Sequence, residues 1–456
     1  MFSTSPNALT TSVSLPVRRW ALAATNRFNV LLTIARLPES KKPALSRLPM
    51  RGRQFTVKAG LSGKPKMRRA KESVEQAIGA HAELLSSQMR AMTEALFPPI
   101  AEKTLRRFTS GEAAKLLKVS DSTLRKMSLA GEGPTPETTS GGRRHYTLGQ
   151  INELRHLMAG RGRPLPHRGA DDHLQVISVT NFKGGSAKTT TATHLAQYLS
   201  LQGLRVLAID LDPQASMSAL FGVVPEANVG PNETLYAAIR YDEHRRPLTD
   251  VIRSTYFDGL DLVPGNLELM EFEHATPMAM RDGADEDIFY TRIASALDDV
   301  SDNYDVVVID CPPQMGFLTL SGLCASTSMV ITIHPQMLDV ASMSQFLLMT
   351  NDLLGVVSSA GGGLEYDFIR YLVTRYEPQD APQTKVVTLL RGLFGDHVLT
   401  NAMVKSAAVS DAGITKQTLY EIGRESMTRS TYDRALEALD AVNGEIAELI
   451  SESWGR

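Results

Sequence analysis

Cysteine is scarce in this chain of 456 residues, which has two, Cys311 and Cys324. Two cysteines cannot build a framework of several disulfides, and within one chain they cannot supply a four-cysteine zinc site. Such scarcity is typical of proteins in a reducing cytosol. Uninterrupted apolar runs of 18 residues are absent as well, so we expect no membrane-spanning helix. The sequence therefore predicts a cytoplasmic protein with no membrane partner.

A large net charge is also missing, since 48 Lys and Arg residues face 50 Asp and Glu residues. The balance is uneven along the chain. Residues 1–70 hold 14 basic residues and one acid, Glu39, which leaves 34 basic against 49 acidic residues elsewhere. Any nucleic-acid site after residue 70 must therefore be a local cluster. The length predicts two or three domains, and 43% apolar residues suffice for a sizeable core.

The N-terminal part is the least periodic. We expect residues 1–66 to be a disordered basic tail, or to precede a true start near Met67. From residue 71 to 96, a stripe of mostly apolar side chains that includes His81 and Gln88 recurs at alternating steps of four and three, the spacing of a coiled-coil seam. We therefore predict an N-terminal dimerisation helix within residues 67–99. Packing of this helix on its own domain is the alternative.

Residues 104–159 have the pattern of a small DNA-binding domain. Thr109 or Ser110 can cap a first helix, and Asp121 or Ser122 can cap a second one. A Gly-Gly-Arg-Arg-His-Tyr stretch and a third helix follow. These segments resemble the helix-turn-helix, wing and following helix of MerR-like domains. The resemblance implies a winged helix-turn-helix.

Four basic residues fall where such a domain meets DNA. By this resemblance Arg125 and Lys126 lie on the recognition helix, and Arg143 and Arg144 lie on the wing. A guanidinium pairs with two acceptors at once, on a guanine edge or on a phosphate. We expect these four residues to bind DNA. The alternative is a small helical domain with solvated basic side chains.

The second half of the chain predicts an α/β fold. Residues 160–173 are rich in Gly, Pro and Arg, which indicates a linker. In residues 174–456, continuous Val and Ile runs alternate with helical runs, which predicts a mostly parallel sheet with helices on both faces. Ligands of such sheets bind at the carboxyl ends of the strands. The predicted strands are Val176–Thr180, Arg205–Asp210, Leu260–Pro264, Val306–Asp310, Met329–Ile333 and Phe368–Thr374.

The first of these strands leads into a glycine-rich turn, K-G-G-S-A-K-T-T, at residues 183–190. Backbone N–H groups of such a turn, together with the N-terminus of the following helix, hold phosphate groups. Lys188 is then placed on the β- and γ-phosphates of a nucleotide, and the Thr189 hydroxyl on Mg²⁺. Ala187 stands where a P-loop has glycine, so its methyl group crowds a turn that often needs positive φ.

Two further strands end in acids. One ends in Asp210 and Asp212, within D-L-D-P-Q, and the other ends in Asp310, within D-C-P-P. Alternation along a strand directs Asp210 and Asp212 the same way, so we expect both to point towards the phosphates. An acid at the end of a hydrophobic strand is the layout that holds Mg²⁺ beside a nucleotide. We interpret Cys311 as a small buried residue, because this motif offers a nucleophile no histidine partner.

The three motifs together resemble the deviant Walker A, A′ and B motifs of the ParA/MinD family of P-loop ATPases, whose loop reads K-G-G-x-x-K-T-T. The resemblance implies a nucleotide-sandwich homodimer with ATP or ADP and Mg²⁺ as cofactors. It also implies that the ATP-binding residues are Lys183, Gly184, Gly185, Ser186, Ala187, Lys188, Thr189 and Thr190.

The same resemblance assigns further roles. Lys183 reaches the partner's nucleotide and acts in catalysis with Lys188, while Asp212 positions the attacking water. Thr189, Asp210 and Asp310 belong to the Mg²⁺ site. A looser match near the C-terminus implies that Lys405 contributes to DNA binding without sequence preference.

The order of domains resembles that of the large ParA partition ATPases of low-copy plasmids, most closely the RepA group of RepABC replicons. This implies an ATPase that segregates a plasmid or secondary chromosome, dimerises on ATP and binds nucleoid DNA in the cytoplasm. It also implies stimulation by a ParB/RepB-type centromere-binding protein, and repression of its own operon through operator DNA.

Three other functions are compatible with parts of this pattern. The main alternative is a nucleotide-switched transcriptional regulator with little role in segregation. A MinD-like membrane ATPase is disfavoured, because the last predicted helix, Tyr432–Ile450, has an acidic polar face. An iron-protein reductase is remote, because the position of the two cysteines does not suit a shared cluster.

Overall fold

The computed structural model of the chain describes residues 78–81, 83–85, 87, 88, 103–282, 288–359 and 364–456. The predicted tail, residues 1–66, lies outside the described residues, as does most of the predicted dimerisation helix. The described residues between 78 and 88 are helical. Two seam positions among them, Ile78 and Leu85, are exposed.

The DNA-binding module is built as the sequence predicts, with one correction. Thr109 caps the first helix and forms a capping box with Glu112. The second helix is capped by Ser120, not by Asp121 or Ser122 as expected, because Ser120 has the extended backbone and its hydroxyl accepts from Thr123 N at 3.1 Å. The elements are β1 (Phe108–Thr109), α1 (Ser110–Leu116), α2 (Asp121–Leu129), β2 (Glu137–Thr138), β3 (Arg144–Tyr146) and α3 (Leu148–Ala159).

The wing is a small antiparallel sheet in which β3 lies between β1 and β2. Phe108 of β1 and Tyr146 of β3 are buried against Leu124 of α2 and Ile151 of α3. Strands β1 and β3 each contribute one aromatic ring to a core made by the helices. The wing and the recognition helix α2 are therefore fixed to one another through this core.

The second domain contains a seven-stranded sheet of order β10-β9-β4-β8-β5-β7-β6. All neighbouring pairs are parallel except β6 and β7 at one edge. The predicted strands are confirmed to within two residues, whereas β6 is only two residues long and was not predicted. The strands are β4 (Gln175–Thr180), β5 (Val206–Asp210), β6 (Arg253–Ser254), β7 (Leu260–Val263), β8 (Val306–Asp310), β9 (Ser328–Ile333) and β10 (Phe368–Val373).

Helices cover both faces of the sheet, so every residue of β4, β5, β8 and β9 is buried. The last helix packs on the helix that follows β4. The helices are α4 (Lys188–Leu201), α5 (Ser216–Leu220), α6 (Pro225–Asn228), α7 (Tyr236–Ile239), α8 (Met270–Asp282), α9 (Arg292–Asp298), α10 (Phe317–Cys324), α11 (Met337–Ser359), α12 (Ala381–Phe394), α13 (Ala407–Ile414) and α14 (Arg429–Ser453).

Within the described part of the chain, α11 is the one helix with the length and composition of a membrane span. Its most apolar window has a mean hydropathy of 1.3, and 22% of that window is buried. A helix of a soluble domain can meet the same criterion. Met343 and Phe346 of α11 pack with β9 and β10, so this helix is part of the α/β domain.

The two domains share an interface within one compact unit, residues 82–456. The centre of this interface is Arg155 of α3, which is buried and donates to Leu201 O at the end of α4 (2.5 Å) and to Leu116 O at the end of α1 (3.1 Å). Gly203 makes room for it, because a Cβ there would lie 2.8 Å from the Arg155 side chain. One guanidinium therefore joins the C-terminal ends of two helices from different domains.

Residues 160–173, which have the composition of a linker, form hydrogen bonds with the α/β domain. His167 Nδ1 lies 2.8 Å from Asp305 Oδ2, and the Arg168 guanidinium donates to Tyr304 O at 3.0 Å and to Ser301 O at 2.6 Å. Burial opposes ionisation of Asp305, but hydrogen bonds from His167 and Arg205 hold its pKa below the usual value. The segment thus holds the DNA-binding module at a defined place.

We predict that Arg155→Met lowers the free energy of unfolding by about 2 kcal/mol, because two interface carbonyls lose a charged donor. Equilibrium urea unfolding measures the change. The matched control is Arg163→Met, since the exposed Arg163 also donates to a carbonyl, Lys118 O at 2.9 Å, and should cost under about 0.5 kcal/mol. Equal losses in the two variants would contradict the prediction.

Candidate functional site

A cavity of about 560 Å³ opens at the carboxyl ends of the central strands. The phosphate loop that follows β4 forms one side of it, as predicted. Segments after β5 and β8 and a segment near the C-terminus complete the wall. The lining residues are Gly184, Gly185, Ala187, Lys188, Thr189, Thr190, Asp212, Gln214, Ser216, Ala219, Leu220, Pro313, Gly413 and Lys416.

The phosphate loop turns through two residues with positive φ. Gly185 has φ 79°, and Ala187 has φ 67° and ψ 27°, in the left-handed region, immediately before α4 begins at Lys188. An L-residue with a Cβ pays about 1–2 kcal/mol for this conformation. The expected effect of the Ala187 methyl group is therefore to make this backbone conformation of the loop less favourable. The turn directs the N-terminus of α4 at the cavity, where it favours an anion.

Ser186, between these two residues, is a support of the loop and does not line the cavity. It is buried, its hydroxyl is 3.0 Å from Thr332 Oγ1, and its carbonyl accepts from Thr374 Oγ1 at 2.9 Å. Arg375, which has φ 51°, also donates to Gly185 O at 3.1 Å. The ends of β9 and β10 therefore hold the loop in place through these hydrogen bonds. No local sequence motif indicated this support.

Lys188 is nearly buried, and its ammonium lies 3.3 Å from Lys183 O. Burial lowers its pKa, while the nearby carboxylates of Asp310 and Asp212 favour the charged form. The side chain thus lies between the loop backbone and two acids. This is a suitable position for a cation that binds a phosphate group.

Asp210 and Asp310 end neighbouring strands and are opposite each other in the β5–β8 ladder. Both are fully buried, and burial raises the pKa of both carboxyls. Asp210 Oδ2 accepts from the amide and hydroxyl of Ser218, each at 2.7 Å. Neither oxygen of Asp310 has a hydrogen-bond partner of good geometry among the described residues, although the nearby Thr189 hydroxyl opposes the rise in its pKa. The unsatisfied carboxylate of Asp310 is suited to a cation.

Asp212 differs from Asp210, although alternation along the strand suggested the same direction for both. Asp212 lines the cavity, and its Oδ1 accepts from Gln214 N at 2.9 Å. Asp210 is not a lining residue, because its carboxylate is turned to Ser218. The two acids of this motif therefore have different surroundings.

The described residues contain no group of three or more His, Cys, Asp or Glu side chains arranged to hold a metal ion. A site with fewer such side chains still suits Mg²⁺, because this ion keeps several waters and takes one or two carboxylates plus substrate phosphates. The oxygen donors near the loop, Thr189 and Asp310, fit this ion. Cys311 is not a competing ligand or nucleophile, because burial raises the pKa of its thiol to about 12.

Lys183 lies at the start of the loop and does not line the cavity. Its ammonium forms an ion pair with Asp339 in the first turn of α11, and Asp339 Oδ2 is 3.2 Å from His334 Nδ1. Asp339 is 8% exposed, whereas the Lys183 side chain is 44% exposed. The lysine is thus held within its own chain by an acid 156 positions later, which sequence spacing gave no means of finding.

Comparison with known proteins decides the family. A model of the AAA domain matches residues 174–356, and a model of the MerR family regulatory protein matches residues 109–146. A relative from Rhizobium rhizogenes, which carries the name replication protein A, is 56% identical over 381 residues, or 82% of this chain and 94% of its own. Protein SopA of Escherichia coli K12 is 32% identical over 395 residues, or 84% and 98%.

The chain belongs to the ParA family of partition ATPases. A solved structure described as a partition protein shares the fold, with a TM-score of 0.57 at 20% identity over 82% of this chain and 98% of that one. The predicted P-loop α/β fold with a MerR-like module before it is therefore confirmed. Membership of this family indicates an ATPase, and residues 183–190 lie within the part of the chain that the AAA domain model matches.

The predicted DNA-binding residues of this ParA-family chain are accessible. Arg125 and Lys126 of α2 and Arg143 of the wing are exposed, and Arg144 is half-buried. None of these four side chains forms an ion pair with a described residue. Their charges are therefore not neutralised within the module.

Lys405 is in a different situation. Its ammonium is 2.9 Å from Glu377 Oε1, and both side chains are largely exposed. An exposed pair of this kind contributes little stability and exchanges readily with other charges. Lys405 thus remains a predicted DNA contact whose charge is partly neutralised in this chain.

We predict that Ala187→Gly raises the free energy of unfolding by about 1 kcal/mol, because glycine adopts positive φ without the Cβ penalty. Urea unfolding of the nucleotide-free protein measures it. Ala196→Gly, in the middle of α4, is the control and should lower stability by about 1 kcal/mol. A loss of stability in Ala187→Gly would contradict the assigned loop geometry.

Proposed function

We propose that the chain is an Mg²⁺-dependent ATPase that segregates a plasmid or secondary chromosome in the cytoplasm, in association with nucleoid DNA. The observation that carries the proposal is the phosphate loop with two lysines, Lys183 and Lys188, beside a cavity that Thr189 and Asp212 line. A single lysine is enough to bind a nucleotide. A second one at the start of the loop supports a site shared between two chains.

The proposed roles follow from the surroundings of each residue. Amides of residues 184–190 and the N-terminus of α4 bind the phosphates of ATP, and Lys188 neutralises them from below. Thr189 and Asp310 hold Mg²⁺, with Asp210 behind them as a support. Mg²⁺ offsets the charge that develops on the phosphates during hydrolysis. Asp212 lines the cavity, and its carboxylate can accept a hydrogen bond there. This suits it to orienting the attacking water.

Dimerisation is the step that we propose completes the site. Lys183 is held by Asp339 at the side of the loop, away from its own cavity. When two chains face each other through their phosphate loops, Lys183 leaves Asp339 and binds the partner's nucleotide. Its charge then lies at the site of reaction. Hydrolysis is then coupled to pairing. The exposed seam of the N-terminal helix offers a second contact between the chains.

DNA is the second ligand in this proposal. The module with Arg125, Lys126, Arg143 and Arg144 binds operator DNA of its own operon in the ADP state and represses it. In the ATP dimer, Lys405 contributes to binding of nucleoid DNA without sequence preference. A ParB/RepB-type partner bound at a centromere stimulates hydrolysis and releases the dimer.

The alternative function is a nucleotide-switched transcriptional regulator with little role in segregation. The strained backbone at Ala187 favours it, because a stiff, crowded loop can slow turnover without preventing binding. Slow hydrolysis that neither DNA nor the partner accelerates, combined with tight operator binding, would support this alternative.

The two lysines of the loop should give different defects. Lys188→Ala should weaken ATP binding at least tenfold, because the cation that faces the phosphates is lost. Lys183→Ala should bind ATP within about threefold of wild type, yet lose ATP-dependent dimers and at least nine-tenths of turnover with DNA and partner. Titration with a fluorescent ATP analogue, sedimentation and phosphate release measure these effects.

The exposed Lys385 of α12 provides the control variant, Lys385→Ala, which should match wild type in all three assays. Wild-type turnover in Lys183→Ala would refute the shared site. Wild-type ATP affinity in Lys188→Ala would refute the phosphate loop itself.

For the wing, Arg143→Ala combined with Arg144→Ala should weaken binding to the DNA upstream of the gene at least tenfold, because each lost pairing with a base edge or phosphate costs about 1–3 kcal/mol. Basal ATP hydrolysis should stay unchanged. Binding is measured by fluorescence anisotropy at fixed salt. Arg424→Ala, which removes an exposed cation outside the module, is the control, and an equal loss in both proteins would exclude the wing from the interface.

A further inference from the structure

The side chain of Lys103, which precedes the DNA-binding module, enters the α/β domain and ends beside the nucleotide cavity. Its ammonium donates to Leu220 O at 2.6 Å, to Lys416 O at 2.5 Å and to Glu421 Oε2 at 2.9 Å. Leu220 and Lys416 both line the cavity. One cation therefore joins two segments of the cavity wall that are almost 200 residues apart in sequence.

These three bonds use the whole donor capacity of the ammonium group, which has three N–H bonds. The Tyr256 hydroxyl, at 3.3 Å, is the more distant fourth neighbour. Glu421 is itself buried and fixed, since its Oε1 accepts from Thr418 N at 3.1 Å. Burial lowers the pKa of Lys103, and the Glu421 carboxylate opposes that change. A largely buried cation whose remaining neighbour is this distant cannot lose one of the three shorter bonds without a cost in free energy.

Two of the three acceptors, Leu220 and Lys416, belong to the wall of the cavity. Leu220 ends α5, and Ser218 in the same helix donates two hydrogen bonds to Asp210 beside the proposed Mg²⁺ site. Lys416, with φ 51°, belongs to the segment that closes the opposite side of the cavity. A nucleotide that changes the separation of these two walls also changes the distance between the two carbonyls that share Lys103.

The other end of Lys103 leads into the DNA-binding module. The lysine stem packs over Gly222, where a Cβ would lie 2.8 Å from Lys103 Cδ, so the glycine leaves the room that this side chain occupies. Five residues later β1 begins with the buried Phe108, whose ring lies under the Arg106 guanidinium. Arg106 is in turn paired with Glu112 of α1 at 2.8 Å. Movement of the Lys103 backbone is therefore passed to β1 and α1.

We propose that Lys103 is a positioning residue that sets the width of the nucleotide cavity and couples its occupancy to DNA binding by the winged module. This inference rests on the proposed function, because it assumes that the cavity binds ADP and ATP and that the module binds DNA. It assigns the coupling to one side chain, which neither function by itself requires.

The test compares the full-length wild type, Lys103→Gln and the control Lys385→Gln. Affinity for a fluorescent ADP analogue and affinity for the DNA upstream of the gene, with and without ADP, are measured by anisotropy. In wild type and control, ADP should change the DNA affinity at least fivefold. In Lys103→Gln this change should fall below about twofold, and ADP should bind three- to tenfold more weakly, while DNA affinity without ADP stays within about threefold of wild type.

The outcomes separate the inference from the function on which it rests. A full ADP effect on DNA binding in Lys103→Gln overturns the inference alone. A wild type whose DNA affinity ignores ADP overturns the inference together with the proposed binding of operator DNA in the ADP state. A wild type that binds no nucleotide overturns the proposed function as well.

Hydrogen exchange of the wild type provides a second test, which does not depend on whether the Lys103→Gln variant folds. ADP should slow amide exchange in residues 104–117 of the module as well as in residues 413–417 of the cavity wall. Protection of the wall with unchanged exchange in residues 104–117 would overturn the inference.

Discussion

Two carboxylates buried side by side set the conditions for the rest of the site. Asp210 and Asp310 end adjacent strands of a sheet that excludes water, so each needs compensation by a donor or a cation. For Asp210 the compensation is Ser218, which fixes α5 against the strand. For Asp310 it is Lys188 and the metal of the proposed function. The helix, the loop and the cavity wall are all arranged around this pair.

The sequence predicted the parts of the molecule that depend on local pattern. Continuous Val and Ile runs gave the parallel strands, and the Lys-Gly-Gly turn gave the phosphate loop, because each leaves a signal within about ten residues. Thr332, Thr374 and Asp339 also act on the loop, but they are brought to it only by the order of strands. No spacing rule connects positions so far apart, and a single sequence does not reveal such pairs.

Local pattern was also misleading in two places. Strand alternation gave Asp210 and Asp212 one direction, but the chain bends after β5, and Ser218 captures the first acid while the second lines the cavity. Composition indicated a free linker at residues 160–173, yet bonds from His167 and Arg168 to the α/β domain restrain it. In both cases tertiary hydrogen bonds, which composition does not encode, decide the outcome.

Helix α4 has the phosphate loop at one end and Arg155 of the DNA-binding module at the other. Its 14 residues span about 21 Å at 1.5 Å per residue, and a helix of this length is stiff. The distance from the phosphate loop to the interface with the DNA-binding module is therefore fixed by the length of α4. Insertion or deletion of residues within α4 would change the position of the DNA-binding module relative to the phosphate loop.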